Sequence, residues 1–312
     1  MLKVVINIPC YNEEETLPLV VQDIPDQIEG IDEIVVQVVD DGSTDNTVQV
    51  AKDLGCDVVK HKRNRGLGVA FKTGVRHALE NGCDIFVNTD ADNQYPSKYI
   101  PNLIRPVLTG ESDLVLGNRQ PWKVEHFSKT KRFFQWLGNL AARNVADVNV
   151  PDTVSGFRAY SKDALLKLHV TTNFSYVLDT LVQASDKGLK ITNIPIDINP
   201  PTRESRLFNN IFEHMYKSGI NLSRLYALYK PFKTFFTLST ILATPALFLI
   251  ARFFYFYFQG LGNGYIQSLI IATILMVMAG LTLTLGIIGE IQKHNRQLIE
   301  EELYLNKKER YD

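Results

Sequence analysis

The chain has little cysteine and almost no net charge. Its three cysteines, Cys10, Cys56 and Cys83, lie far apart without the spacing of a metal site or a disulfide framework, which favours reduced, buried thiols. The 33 basic and 34 acidic residues nearly balance, so the composition gives no reason to expect a nucleic-acid partner. The first residues lack the pattern of a signal peptide and predict a strand, so we expect the first domain in the cytoplasm.

Charged residues are missing from two long segments near the C-terminus. None occurs at 234–251 or at 253–289, which is too long for a core helix of a soluble protein. We predict two membrane spans, at about 232–254 and 266–288, with a tight turn at Gly260–Gly264 between them. The alternative is a helical hairpin buried within a soluble protein.

Basic residues flank the predicted spans, whereas the connecting turn is uncharged. Those before the first span or after the second are Lys217, Arg224, Lys230, Lys233, Lys293, Arg296, Lys307 and Lys308. The positive-inside rule therefore predicts an inner-membrane protein with both ends in the cytoplasm. Arg252 interrupts the pattern near the end of the first span, where a long side chain can reach the head groups.

Short apolar runs alternate with amphipathic stretches along about the first 200 residues. Strands are predicted at 4–8, 33–39, 57–60, 85–88 and 113–117. Helices are predicted at 16–24, 44–54, 68–81 and 99–108. This alternation predicts an α/β fold with a mostly parallel central sheet that helices cover on both faces.

An acidic pair follows the fourth predicted strand. Asp90 and Asp92 come directly after the apolar run at 84–89, where α/β sheets bind ligands. Carboxylates at i and i+2 can converge on one hard cation, with Gln94 near enough to assist, and such a cation usually brings phosphate oxygens with it. The pair thus indicates metal-dependent chemistry on a nucleotide or phosphate, although many isolated pairs of this kind are solvated turns.

The first predicted strand ends in Pro9-Cys-Tyr-Asn-Glu-Glu14. Tyr11 can stack on or border a flat base, while Asn12 and Glu13 can bind a ribose or a base edge. A turn with a helix cap explains the segment equally well when it is taken alone.

The second predicted strand ends in Val39-Asp-Asp-Gly-Ser-Thr-Asp45. Asp41 can accept hydrogen bonds from a base or a ribose hydroxyl. Asp40 also suits a structural role, and Asp45 suits a helix cap better than a ligand. The later Gly66-x-Gly68 lacks the Lys-Ser/Thr ending of a Walker P-loop and is interpreted as a helix start.

These segments together resemble the family 2 glycosyltransferases of the GT-A fold, whose motifs Pro-x-Tyr-Asn-Glu, Asp-Asp-Gly-Ser and Asp-x-Asp recur here in order. Asn64-Arg-Gly-Leu-Gly68 and Val154-Ser-Gly-Phe-Arg158 are similar to two further segments of that family. The resemblance covers about the first 210 residues. The hairpin and Gly286-Ile-Ile-Gly-Glu290 resemble the polyprenyl-phosphate branch, which is related to dolichol-phosphate mannose synthase and to bacterial glucosyltransferases that load a lipid carrier.

The resemblance implies transfer of one sugar from a nucleotide diphosphate donor to a polyprenyl monophosphate, undecaprenyl or dolichyl phosphate. A UDP-sugar is favoured as donor, with GDP-mannose as the alternative. It implies Mg²⁺ or Mn²⁺ at Asp90, Asp92 and Gln94. The expected donor-binding residues are Pro9, Tyr11, Asn12, Glu13, Asp41 and Asp90. An ionised phosphate acceptor needs no strong base, and in-line attack inverts the anomeric centre.

An anionic acceptor requires cationic side chains, and the expected catalytic residues beside Asp92 are Arg119, Arg132, Arg158 and Arg206. Arg132 lies in an amphipathic stretch at 127–137 that suits a helix in the membrane interface or an ordinary surface helix. Arg206 is preferred to Arg203, which stands where the family's loop carries glycine.

Two further carboxylates remain open. Asp152 can orient Arg158, approach the acceptor or serve as a plain turn residue. Asp179 lies where many family 2 enzymes place a base, and a phosphate acceptor leaves that role vacant.

Two other functions remain alternatives. A polysaccharide or glycolipid synthase needs a base and, if processive, a Gln-x-x-Arg-Trp motif, which this sequence lacks. A non-catalytic membrane scaffold is the second, although intact Asp90, Asp92 and Arg158 argue against it. We expect a catalytic domain at 1–205, juxtamembrane helices at 206–231, the hairpin at 232–290 and a cytoplasmic tail at 291–312, with self-association through the spans.

Overall fold

The computed structural model describes residues 1–120, 139, 142–148, 150–170, 176–200 and 211–311. The chain forms two compact units. The first consists of Met1–Met215 together with Glu302–Asp312, and the second of Tyr216–Glu301. The end of the chain thus belongs to the same unit as its beginning.

Within the described residues, the first unit contains a seven-stranded sheet in the order β3-β2-β1-β4-β6-β5-β7. The strands are β1 Lys3–Cys10, β2 Glu33–Asp40, β3 Asp57–Lys60, β4 Ile85–Asn88, β5 Leu114–Asn118, β6 Arg158–Ser161 and β7 Ile191–Pro195. β6 runs antiparallel to β4 and β5, and the other neighbours are parallel. The predicted α/β fold with a mostly parallel sheet is confirmed.

Helices cover both faces of this sheet. They are α1 Leu17–Gln22, α2 Thr47–Asp53, α3 Leu67–Glu80, α4 Ile100–Leu108, α5 Lys162–Lys167 and α6 Tyr176–Asp186. Because side chains alternate along a strand, Ile6 and Ile8 of β1 face the core under α1 and α4. On the opposite face, Phe71 of α3 stacks on Tyr176 of α6 at 4.0 Å and meets Phe86 of β4 edge-on at 5.8 Å.

The elements predicted up to residue 118 are all present, and their ends differ from the prediction by at most three residues. β6, α5, α6 and β7 were not predicted. β6 has only four residues and begins with a buried arginine, while β7 is a half-exposed edge strand. Neither has the apolar run or the strict alternation that marks a strand in a sequence.

The second unit includes α8 Pro231–Phe258 and most of α9 Ile266–Tyr311, and α7 Ile211–Tyr229 leads into it. Both α8 and α9 are long and apolar enough to cross a membrane. Large apolar side chains on them, such as Ile241, Phe248 and Leu281, are more than half exposed. Such exposure suits a lipid environment better than the core of a soluble protein. We therefore treat α8 and α9 as candidate spans.

Small residues let α8 and α9 pack closely. A Cβ added to Gly289 would lie 2.7 Å from Pro231 Cβ, and one added to Gly286 would lie 3.1 Å from Phe235 Cβ. The Ser239 hydroxyl donates to the Ala279 carbonyl at 2.8 Å. These contacts follow one another along antiparallel helices, as the predicted hairpin requires.

The last turns of α9 pack against α5 within the first unit. The Tyr304 hydroxyl donates to Asp163 Oδ1 at 2.8 Å, and Lys162 Nζ donates to the Tyr311 carbonyl at 2.8 Å. Lys307 Nζ lies 3.0 Å from His169 Nδ1, and burial lowers the pKa of this lysine to about 8. The helix therefore continues beyond the predicted span and ends as part of the globular unit.

Replacing Tyr304 with phenylalanine keeps the ring and removes the hydroxyl that donates to Asp163. We expect the local unfolding free energy to fall by about 1 kcal/mol, the usual contribution of one hydrogen bond. In the full chain in detergent, amide hydrogen exchange at 162–167 and 302–311 should then become roughly fivefold faster. Asn306→Ala changes an exposed position of the same helix and should leave exchange as in the wild type. Unchanged protection in Tyr304→Phe would refute the role given to this contact.

Candidate active site

The loops after β1, β2, β4 and β5 lie at one edge of the sheet. β1, β2 and β4 are parallel neighbours, so their carboxyl ends coincide. β5 runs in the same direction, because β6 between β4 and β5 is antiparallel to both. The topology thus brings together the loops that carry Tyr11, Asp41, Asp90 and Arg119.

The loop after β1 is joined to the loop after β2 through Asn12. This residue has a left-handed φ of 57°, and its backbone N–H donates to Ser43 Oγ at 2.9 Å. Its side-chain oxygen accepts from Thr44 N at 2.8 Å. Asn12 therefore braces two loops, while the neighbouring Tyr11 ring stays 42% exposed and open to a flat ligand.

Pro9 and Glu13 lie on either side of that pair. Pro9 is in β1 two residues beyond Asn7, the last residue of β1 that pairs with β4, so it interrupts no pairing on that side. The Glu13 carboxylate accepts from Thr16 Oγ1 at 2.8 Å just before α1 begins. Both placements fit the turn-and-cap alternative and keep Glu13 at the site edge.

Asp41 holds the following Asn-x-Gly segment in place. Its carboxylate accepts from Arg65 N at 3.0 Å and from Gly66 N at 2.8 Å. His61 Nδ1 lies 2.6 Å from Asp41 Oδ1, and His61 Nε2 lies 3.0 Å from Thr73 Oγ1. Both carboxylate oxygens thus have protein partners, so Asp41 organises the loop that a donor would meet.

Gly42 shows why the second motif contains glycine. Its φ is +80°, and a Cβ there would lie 2.6 Å from the carbonyl carbon of Arg63 and 2.8 Å from Asn64 N. The two loops therefore touch backbone to backbone, which only glycine permits. Asp40 is fully buried and accepts from Ser43 N at 3.2 Å, which is the structural role considered for it.

Asp90 and Asp92 leave β4 at its carboxyl end. Gln94 donates from its backbone N to Asp92 Oδ1 at 3.1 Å and from Nε2 to Asp92 Oδ2 at 2.9 Å. Gln94 therefore orients Asp92 and turns its amide nitrogen, not a ligand oxygen, toward it. Burial and then the charge of Asp92 raise the pKa of Asp90 to about 7, while Arg119 opposes this shift.

This pair fits a hard divalent cation. Mg²⁺ in proteins is commonly held by one or two carboxylates, with phosphates and waters completing its shell. The raised pKa of Asp90 means that its negative charge is poorly compensated by the chain itself. Among the described residues, no group of three or more His, Cys, Asp or Glu side chains forms a full cage.

Arg119 is held by Asp152. Its Nε lies 2.7 Å from Asp152 Oδ2 and its Nη2 lies 2.9 Å from Asp152 Oδ1, a bidentate pair. The Asp152 side chain is fully buried, whereas that of Arg119 is 17% exposed. Asp152 thus orients an arginine, as one of its sequence interpretations holds, but the arginine is Arg119 and not Arg158.

The position of Arg158 differs from the expectation that this arginine binds phosphate. It is fully buried in β6, and its guanidinium donates to the carbonyls of Ser155, Val177 and Thr153 at 2.8–3.0 Å and to Thr180 Oγ1 at 3.0 Å. Its donors are directed to the loop before β6 and to the start of α6. The residue joins these elements and is turned away from the solvent at the site.

Arg132 and Arg206, the other two arginines expected in catalysis, lie outside the described residues. Sequence reasoning also missed several residues of the site. His61 directly follows β3, and Asn88 is the polar last residue of the buried strand β4. A polar residue at the end of a buried strand is a signal that could have found Asn88, whereas β3 is a partly exposed edge strand and gives no such signal for His61.

Comparisons with known proteins identify the family of the chain. Residues 5–168, just over half of the chain, match glycosyl transferase family 2. The undecaprenyl-phosphate mannosyltransferase of Micrococcus luteus is 31% identical over 206 residues, which cover 62% of this chain and 83% of that protein. The UDP-N-acetylglucosamine–dolichyl-phosphate N-acetylglucosaminyltransferase of Methanococcus voltae is 32% identical over 215 residues, which cover 61% and 82%.

A solved structure shares the fold. Glucosyl-3-phosphoglycerate synthase from Mycobacterium tuberculosis, in complex with Mn²⁺ and UDP-glucose, superposes with a TM-score of 0.55 over 72% of this chain and 78% of that one, at 25% identity. The expected GT-A fold is thereby confirmed. By the extent of the family match and the similarity to these relatives, the chain belongs to glycosyl transferase family 2.

Proposed function

We propose that the chain transfers one sugar from a nucleotide diphosphate sugar to a polyprenyl monophosphate at the cytoplasmic face of the membrane. The observation that carries this proposal is an acidic pair at the carboxyl edge of the sheet in a chain that also has two candidate membrane spans. The names of the relatives support it, since they specify undecaprenyl and dolichyl phosphate. The UDP-glucose complex of the structural neighbour favours a UDP-sugar over GDP-mannose as donor.

Asp90 and Asp92 would hold Mg²⁺ or Mn²⁺. When bound there, the cation would supply positive charge to offset the negative charge that grows on the leaving diphosphate. Gln94 keeps the Asp92 carboxylate in one orientation through two hydrogen bonds. Preorganised ligands of this kind lower the reorganisation needed during the reaction.

The loops after β1 and β2 would shape the donor site. The exposed Tyr11 ring suits a base, with Pro9, Asn12 and Glu13 fixing the path of the chain around it. Asp41 contributes by holding the backbone of the Asn-x-Gly segment.

Arg119 would bind phosphate oxygens at the reaction centre. Its Nη1 takes no part in the bidentate contact with Asp152, which uses Nε and Nη2. A guanidinium fixed on two of its donors keeps the remaining ones in a defined direction, which suits recognition of a phosphate. Arg132 and Arg206 are proposed to serve the same acceptor.

A phosphate acceptor is favoured over a hydroxyl acceptor. An ionised phosphate attacks the anomeric carbon without a protein base. Asp179, at the position typical of a base in this family, is 1% exposed and accepts a hydrogen bond from Gln183 Nε2 at 2.9 Å. Its placement suits a structural role. In-line attack opposite the leaving diphosphate inverts the anomeric centre.

The two candidate spans would keep the enzyme at the bilayer that contains its acceptor. Basic residues before the first span and after the second support cytoplasmic ends for both. We also propose self-association through the spans.

Removal of the divalent cation tests whether sugar transfer to a polyprenyl phosphate depends on a metal ion at the acidic pair. Membranes containing the chain should transfer label from at least one of UDP-glucose, UDP-N-acetylglucosamine and GDP-mannose to added undecaprenyl or dolichyl phosphate, measured as organic-phase radioactivity. EDTA and Asp92→Asn should each lower transfer about 100-fold or more, since charge stabilisation in the transition state is lost. Asp26→Asn, a matched change at an exposed aspartate, should keep wild-type transfer. No label in the organic phase with any donor would refute the proposed reaction.

A double-mutant cycle tests whether Asp152 acts through Arg119. We expect Asp152→Asn to lower kcat/KM about 10- to 100-fold, because the guanidinium loses its fixed orientation. In an Arg119→Met background the same change should have little further effect, since the two residues form one unit. Additive losses in the double variant would show that Asp152 has a separate role.

A further inference from the structure

The backbone of Gly156 lies between two buried tyrosine hydroxyls. Its N–H donates to Tyr95 Oη at 3.3 Å, and its carbonyl accepts from Tyr176 Oη at 3.2 Å. Tyr95 is 5% exposed and Tyr176 is fully buried. Both backbone polar groups of Gly156 are thus held by side chains that come from other parts of the fold.

Ring stacking fixes both hydroxyls. Tyr176 lies flat on Phe71 with centroids 4.0 Å apart and an interplanar angle of 1°. Tyr95 stacks on Phe157 at 5.3 Å. Because each ring is held by an aromatic neighbour, each hydroxyl has little freedom to follow the peptide if it moves. The two hydroxyls therefore hold the N–H and the carbonyl of Gly156 in fixed directions.

Asn88 sets the direction of the hydrogen bonds. Its Nδ2 donates to Tyr176 Oη at 2.7 Å and, more weakly, to the Gly156 carbonyl at 3.3 Å, and the tyrosine proton is available to the same carbonyl. Its Oδ1 accepts from Asn7 Nδ2 at 2.8 Å, and Asn7 Oδ1 accepts from Gln37 Nε2 at 2.8 Å. This buried chain of side chains crosses three neighbouring strands. Its hydrogen bonds hold the side chains of all three strands in fixed positions.

The Gly156 peptide in turn lies against Asp90. A Cβ added to Gly156 would be 3.2 Å from both carboxylate oxygens of Asp90 and 3.0 Å from Tyr176 Oη. These distances are shorter than nearly all real Cβ contacts, so a methyl group at this position would push the Asp90 carboxylate or the Tyr176 hydroxyl aside by a few tenths of an ångström. The position of this peptide therefore limits where the Asp90 carboxylate can lie.

We propose that Tyr176, together with Tyr95 and Asn88, positions the Asp90 carboxylate for the divalent cation by clamping the backbone of Gly156 on both sides of its Cα. The proposal rests on the proposed function, because it assigns a role in the same cation site. Tyr176 is a positioning residue, since it acts on Asp90 through Gly156. Supporting groups around a metal ligand typically change metal affinity by about 10- to 100-fold.

The test measures Mn²⁺ affinity in the absence of turnover. The full chain in detergent is titrated with Mn²⁺ in the presence of UDP, and bound Mn²⁺ is followed by electron paramagnetic resonance. Tyr176→Phe keeps the stacked ring and removes the hydroxyl, so we expect Mn²⁺ to bind about tenfold more weakly. Tyr160→Phe is the matched control, because its ring packs on the same Phe71 at 5.8 Å in the same buried cluster. This control should bind Mn²⁺ as the wild type does.

Two further variants separate positioning from general damage. Gly156→Ala places a methyl group against Asp90 and should weaken Mn²⁺ binding at least as much as Tyr176→Phe. In an Asp90→Asn background, Tyr176→Phe should cause no additional loss, because the residue it positions has been removed. A loss of equal size in both backgrounds would overturn the proposal and indicate damage to the fold.

The outcomes for this proposal and for the proposed function can be told apart. Equal Mn²⁺ affinity in Tyr176→Phe and the wild type would overturn the clamp and leave the transferase function standing. Tight Mn²⁺ binding that Tyr176→Phe weakens, without transfer to any polyprenyl phosphate, would support the clamp and refute the function. Failure of the wild type to bind Mn²⁺ with UDP would overturn the cation site and the clamp together.

Discussion

Negative charge gathered at the carboxyl edge of the sheet is the constraint on which the site depends. Burial and the charges of Asp92 and Glu13 make ionisation of Asp90 unfavourable, and Arg119 relieves only part of this. Arg119 also forms an ion pair with Asp152, so its positive charge is shared between Asp152 and Asp90. Among the described residues, the negative charge at this edge is therefore only partly balanced, and a divalent cation would balance more of it.

Close approach of backbone segments supports this charged edge. Gly42 lets the loop after β2 touch the segment that follows β3, and Gly156 lets the loop before β6 touch Asp90. At Gly74 of α3, a Cβ would lie 2.3 Å from Asn7 Oδ1, inside the buried polar chain of β1 and β4. Gly42 thus allows a contact between two backbones, whereas Gly74 and Gly156 each allow a backbone to approach a polar side chain. Loops held this tightly give a site its geometry before any ligand arrives.

The sequence predicted the first half of the fold well, because five strands and four helices there follow clear hydrophobic periods. It also located Asp90, Asp92, Arg119 and Tyr11 at the correct strand ends. The sequence could not predict which side chains pair with each other. Asp152 precedes Arg158 by six residues but pairs with Arg119, because the antiparallel β6 inserts between β4 and β5. That insertion depends on pairing between distant segments, for which a single sequence carries no local signal.

The contacts of Tyr304 and Tyr311 with α5 are the last ones that the first unit can form during synthesis. The unit is built from residues at both ends of the chain, and the contacts of Tyr304 and Tyr311 with α5 join positions about 140–150 residues apart. During synthesis, α5 emerges long before α9 does. The globular unit therefore acquires its last stabilising contacts only after both apolar helices have been made, so its maturation is tied to completion of the hairpin.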